Sequence, residues 1–263
     1  MGTKSQGVRA FPRTAIGFLP EYLDFQKGIR VGNLEDNQRI TRILKLALEA
    51  HYQQPFVTER YGRGVYWQWI GFLPRANREA KPVSSKVSFG CSKFFLTVDM
   101  EEQVFKCGFS VERGMIQPPP DFPKIGLKPD WDWHRLVAAL KPGGSMEREL
   151  KRLVIREGFL IDAGGWESRT PFGKNTFPSM AKLKKILQEA PKSSWAGFQV
   201  YYPMTEKEVR GSVGVDLIES MMAIFDEVTP SMNHCMQIHL GGRTETKTLS
   251  LDSSHENKAQ NSP

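Results

Sequence analysis

Val104-Phe-Lys-Cys-Gly-Phe-Ser-Val-Glu112 alternates Phe105, Cys107, Phe109 and Val111 with Lys106, Ser110 and Glu112. Successive side chains of a strand point to opposite faces, so this stretch predicts a strand with one packed face and one wet face. Upstream, Lys86 to Asp99 reads as its hairpin partner across Met100-Glu-Glu-Gln103. Further back, Phe56 to Tyr61 and Val65 to Leu73 flank Gly62-Arg63-Gly64, a tight-hairpin signal. The polar stretch from Arg75 to Ser85 reads as a loop.

The rest of the chain reads as mainly helical. Before the strands, Pro20 to Gln26 suggests a short helix. Asn33 then caps a second, with Ile40, Ile43, Leu44, Ala47 and Leu48 on one face and Pro55 beyond its end. After the strands, Pro118 to Pro129 holds five prolines and predicts no regular structure. Helices follow at Trp131 to Leu140, from Ser145 towards Gly158, and after Ser179. Phe159 to Asp162 and the aromatic Trp195 to Tyr202 read as returning strands. Thr205-Glu-Lys-Glu208 is a capping box, and Leu217, Met221, Ile224, Phe225 and Val228 mark a last helix that Pro230 should end. Strands first and helices later predict an α+β fold, a mostly antiparallel sheet with helices packed on one face. The expected division is an irregular N-terminus (1–13), a single α+β domain (14–240) and a disordered tail (241–263).

Of the 263 residues, 40% are hydrophobic, enough apolar side chain for a core, and the formal net charge is +7. That charge favours anionic partners. Met1 to Arg13 has no apolar leader core, and no apolar run approaches the roughly 20 residues that would span a bilayer. Cys91, Cys107 and Cys235 are odd in number and far apart, which fits reduced thiols and a cytoplasmic location.

Each candidate for chemistry competes with a structural role. Asp132 and His134 offer a carboxylate and an imidazole at close spacing for acid–base work, but an acid at a helix start is also a cap. His234, Cys235 and His239 form the densest set of potential metal ligands. A zinc site needs about four, and no second pair is present, so no metal is expected. Asp99, Glu101, Glu102 and Lys106 fall in or beside a hairpin turn, where charge is ordinary. No Gly-x-Ser-x-Gly elbow or phosphate-binding Gly-Lys-Ser/Thr loop occurs, and no cofactor is implied. Arg63 and Tyr66 lie among hairpin aromatics, while Arg75, Arg78 and Arg113 flank the strands. Together they suit single-stranded nucleic acid, where bases stack on rings.

The aromatic strand Tyr66-Trp-Gln-Trp-Ile70, a basic loop, and the strand pair Val87 to Val98 and Val104 to Arg113 follow one another. The pair ends Cys-Gly-Phe-Ser-Val-Glu-Arg. That order resembles the YktB-like families of uncharacterised bacterial proteins over roughly Phe56 to Arg113. The resemblance implies an α+β fold, no known activity, and no functional residue to carry over. Three functional readings remain from the residues: a binding or accessory protein for an anionic partner such as nucleic acid, an enzyme using Asp132 and His134, and a protein–protein interaction module.

Overall fold

A computed structural model describes residues 17–81, 90–121, 131–165 and 168–241. A 3-10 turn at Pro20–Tyr22 leads into a small ribbon, β1 (Leu23–Asp24) and β2 (Gly28–Arg30). Helix α1 (Ile40–Tyr52) precedes β3 (Phe56–Arg63), β4 (Tyr66–Pro74), the short α2 (Arg75–Glu79), β5 (Lys93–Asp99) and β6 (Val104–Arg113). Then come α3 (Asp132–Ala139), α4 (Ser145–Lys151) running into a π turn at Arg152–Arg156, β7 (Leu160–Gly165), β8 (Ser168–Phe172) and α5 (Met180–Glu189). Strand β9 (Ala196–Thr205), α6 (Glu206–Arg210) and α7 (Gly214–Asn233) complete it.

The nine strands of the described residues form one antiparallel sheet, ordered β1-β2-β4-β5-β6-β9-β7-β8, with β3 on the other edge of β4. The fold is α+β, as the order of elements predicts. Register lines up the packed face: Phe94 lies opposite Phe109, Phe109 opposite Val200, and Val200 opposite Ile161. Helix α7 covers this row, with Phe225 stacked on Phe94 at 4.6 Å between ring centroids. Ile43, Leu44 and Leu48 of α1 and Leu183 and Leu187 of α5 join the same core.

The second face departs from expectation. Lys106 and Ser110 are buried, along with Phe95, Tyr201, Lys93 and Gln199 around them. Charge is accommodated there by pairing. Lys93 lies 3.0 Å from Glu112 and 3.5 Å from Glu59, and Lys106 lies 2.9 Å from Asp99 and 2.8 Å from Glu102. Burial works against the Lys93 ammonium, yet Glu112 and Glu59 outweigh it and hold its pKa above the ordinary lysine value. In the middle of this face Gly108 faces Tyr201, and a Cβ on Gly108 would stand 2.0 Å from the Val200 carbonyl oxygen. Only glycine lets β9 come that close.

Several boundaries differ from the sequence reading. Asn33 does not cap α1: it sits in the left-handed region (φ 54°), and the helix begins seven residues later, after the Arg39 guanidinium donates to the Leu34 carbonyl. Pro20 to Gln26 holds one 3-10 turn at Pro20–Tyr22 and then the whole of β1, in place of a longer helix. The polar stretch after Pro74 opens with helix α2, whose Arg75 N–H donates to the Pro55 carbonyl. Gly144, not Ser145, caps α4. Pro230 lies inside α7, which continues to Asn233 because Ser231 and Met232 are drawn into the core. The Thr205 capping box is present, its hydroxyl accepting from the Glu208 N–H. Strand β8 was not anticipated; it pairs with β7 from Ile161–Phe172 to Gly165–Ser168. The expected irregular N-terminus, most of the tail, and the bulk of the proline-rich stretch lie outside the described residues.

Truncating Phe94 to Ala removes a ring that touches Tyr52, Phe56 and Phe225. Urea unfolding should show a loss of about 3–5 kcal/mol. Leu19→Ala, at an exposed side chain, should stay within about 0.5 kcal/mol. Equal effects would contradict the packing described.

Candidate nucleic-acid interface

Helix α1 has two sides. Ile40, Ile43, Leu44, Ala47 and Leu48 are buried against the core. On another side Arg39, Arg42 and Lys45 recur every third residue, a spacing that stacks side chains along one helix face. The β3–β4 hairpin rises beside that face. Thr58 and Arg60 alternate along β3 and so point the same way, and Gly62, just beyond a bulge after Tyr61, lines the same space. A third wall comes from Val31 and Gly32, whose backbone N–H groups both donate to the Val65 carbonyl at 2.9 and 3.0 Å. Between these walls lies a cleft of about 770 Å³, lined by Arg39, Arg42, Lys45, Arg60, Thr41, Thr58 and Trp67 among others. Gly64 at the hairpin turn has a left-handed φ of 67°, and a Cβ there would meet nothing within 4 Å, so the turn is unobstructed.

The electrostatics of the cleft are lopsided. Asp36 is shared between Arg39 at 3.3 Å and Arg42 at 3.9 Å, and Lys45 lies 3.8 Å from Glu49. Arg60 has no carboxylate partner among the described residues; its guanidinium carbon lies 3.9 Å from the centroid of the Trp67 ring. Four cations therefore share two carboxylates. Such exposed pairs are worth at most about 1 kcal/mol each, so an incoming anion exchanges them readily.

The residues singled out in the sequence are scattered relative to this cleft. Arg63 and Tyr66 face each other at the turn end of the β3–β4 hairpin, beside the cleft, with Lys27 Nζ 5.6 Å from the Tyr66 ring centroid. Arg75 and Arg78 belong to α2, at the far end of β4, about 26 Å along the strand from Tyr66. Arg113 is only 1% exposed and cannot reach a ligand on the surface. One of its amino groups donates to the Ala190 and Pro191 carbonyls at 3.2 and 2.8 Å, and its guanidinium lies 5.7 Å from the Trp133 ring. It is a strut between β6 and the loop before β9, and burial pulls its pKa below the ordinary arginine value.

Asp132 and His134 do not form an acid–base pair. Asp132 is fully buried and accepts from Asn77 Nδ2 at 2.8 Å and from the Ser92 N–H at 2.6 Å. Its other oxygen meets the Lys81 ammonium at 2.8 Å, as an ion pair not aligned as a hydrogen bond. His134 is exposed two residues later, and no hydrogen bond or ion pair joins it to Asp132 among the described residues. The carboxylate instead ties α2, α3 and the segment before β5 together. Asn77 extends the knot by accepting from the Gln237 and Ile238 N–H groups.

Cys235 is likewise interior. Its thiol donates to the Ser231 carbonyl at 3.7 Å, and burial raises its pKa well above the usual thiol value. Burial also lowers the pKa of half-buried His234, whereas His239 is exposed. Among the described residues no group of three or more His, Cys, Asp or Glu side chains gathers as a metal site.

Sequence reasoning passed over Arg39, Arg42, Lys45 and Arg60. The three-residue repeat on α1 was the available signal, masked by the apolar stripe used to identify the helix. Compared with protein-family models and with curated proteins, the chain matches none.

Replacing Asp132 with Asn leaves the buried Lys81 without a counter-charge, and the expected cost is about 3–5 kcal/mol in chemical unfolding. His134→Ala should change stability by less than about 0.5 kcal/mol. A large effect of His134→Ala would restore a role for the pair.

Proposed function

We propose that this protein binds nucleic acid through the cleft between α1 and the β3–β4 hairpin, acting as a binding or accessory protein. The observation that carries the reading is the convergence of Arg39, Arg42, Lys45 and Arg60 on one concavity with only two carboxylates to balance them. Cations from a helix, the approach to it and a hairpin meet there, which a generally basic surface would not require. The net charge of +7 supports the same partner by attracting polyanions from a distance. Thr41 and Thr58 add hydroxyl groups suited to phosphate oxygens. Three unpaired, buried cysteines suit a reducing cytoplasmic setting, and no helix among the described residues is long and apolar enough to cross a membrane.

Binding to a phosphate backbone releases counterions, with a slope of roughly 0.7 to 0.9 per phosphate contact in a log–log plot against salt. Four contacting cations give an expected slope of about −3. Fluorescence anisotropy of a labelled oligonucleotide across a potassium chloride series measures it. Arg42→Gln should reduce the slope by about one, and Arg75→Gln at the far end of β4 should leave it unchanged. Absence of binding at low salt, or equal effects of the two substitutions, would overturn the reading.

A further inference from the structure

We infer that the nucleic acid taken by the cleft is single-stranded and that one unpaired base stacks on Arg60, an inference that rests on the cleft being the binding surface. Arg60 differs from the other three cations. Arg39, Arg42 and Lys45 are held near carboxylates, in the manner of groups that trade one anion for another. Arg60 instead sits over Trp67, with its guanidinium carbon 3.9 Å from the ring centroid. Trp67 is only 8% exposed and belongs to the main core, so the ring is the fixed inner layer of this stack. Arg60 is exposed and lines the cleft, so the guanidinium plane is its outer layer.

A phosphate needs charge and donors, not a plane. A planar, cationic surface backed by an aromatic ring suits the face of a nucleobase, which stacks on arginine planes as it does on rings. In a duplex both faces of each base are already covered by neighbouring pairs. Only an unpaired base presents a face to Arg60. The volume agrees, since about 770 Å³ is the size of a small-molecule site and suits a nucleotide or two. Opposite the stack, Arg39, Arg42 and Lys45 rise about 4.5 Å per step along α1, a row that follows a backbone leading into the cleft.

The test uses the full chain and four probes in anisotropy titrations: a labelled single strand, the same strand annealed into a duplex, an abasic strand of equal length, and inorganic polyphosphate as competitor. The single strand should bind about tenfold more tightly than the duplex or the abasic strand. Arg60→Lys keeps the charge but not the plane, so it should erase that preference while leaving the salt slope unchanged. Arg42→Gln should weaken all probes alike. Equal affinity for single strand, duplex and abasic strand, or a preference that survives Arg60→Lys, overturns base stacking and leaves phosphate binding intact. Failure of every probe to bind at low salt overturns the underlying reading with it.

Discussion

Strands β6 and β9 pair along all ten residues of each, from Val104–Thr205 to Arg113–Ala196. Among the described residues no other strand pairing joins the early hairpins to the strands that return after the helices. Closing so long a loop costs entropy that no local contact recovers. What offsets it is the row Phe94, Phe109, Val200 and Ile161, roofed by Phe225 of α7, together with a backbone approach at Gly108 that any side chain would block. The similar stretches Cys107-Gly-Phe-Ser-Val111 and Ala196-Gly-Phe-Gln-Val200 lie on these neighbouring strands and run in opposite directions. Their phenylalanines, Phe109 and Phe198, meet edge to face at 5.9 Å.

The ladder also explains the charges on the second face. Lys93 and Ser110 lie directly opposite each other, as do Ser110 and Gln199. A slip of one residue would turn these polar groups into the apolar core and bring Phe94 and Phe109 out of it. Glu59 and Glu112 on either side of Lys93, and Asp99 and Glu102 around Lys106, are satisfied only in the observed register. Desolvation makes such pairs weak sources of stability, but breaking one is costly, so they select one alignment over its neighbours. Asp162 shows the tension: burial pushes its pKa up, against the pull of Lys106 at 3.7 Å.

Much of the sheet was legible because alternation is a local signal. Phe105 to Val111 revealed the packed face of β6 without knowledge of its neighbours. The burial of Lys106 and Ser110 was not legible, since alternation reports polarity and not what surrounds it. Helix ends were read less well where a local rule competed with packing. Asn33 matched a cap but adopted a left-handed turn, and Pro230 matched a terminator but lies inside α7, followed by the buried Ser231 and Met232. The site was the least legible part. Arg63 and Tyr66 stand out because they sit in an aromatic hairpin, whereas Arg75, Arg78 and Arg113 join them only because they flank the strands. Folding places Arg63 and Tyr66 beside the cleft, Arg75 and Arg78 at the far end of β4, and Arg113 in the interior. The cleft itself needs residues from α1 and β3 brought side by side, a tertiary fact that no single window of sequence contains.

That tertiary fact connects the core to the cleft. Tyr52, at the end of α1, stacks on Phe94 at 5.9 Å and bonds Thr229 of α7 at 2.6 Å, while Phe56 at the start of β3 stacks on the same Phe94 at 6.3 Å. One buried ring thus orients both walls of the cleft. Arg39, Arg42 and Lys45 inherit their position from the helix, and Arg60 inherits its position from the strand and from Trp67 beneath it. The cations are long and exposed, but the frame that carries them is as rigid as the core. Like charges held near one another repel, and Asp36 and Glu49 relieve only part of that repulsion. Rigid packing below therefore maintains a concentration of positive charge that a flexible loop would disperse, and an incoming polyanion meets donors already in place.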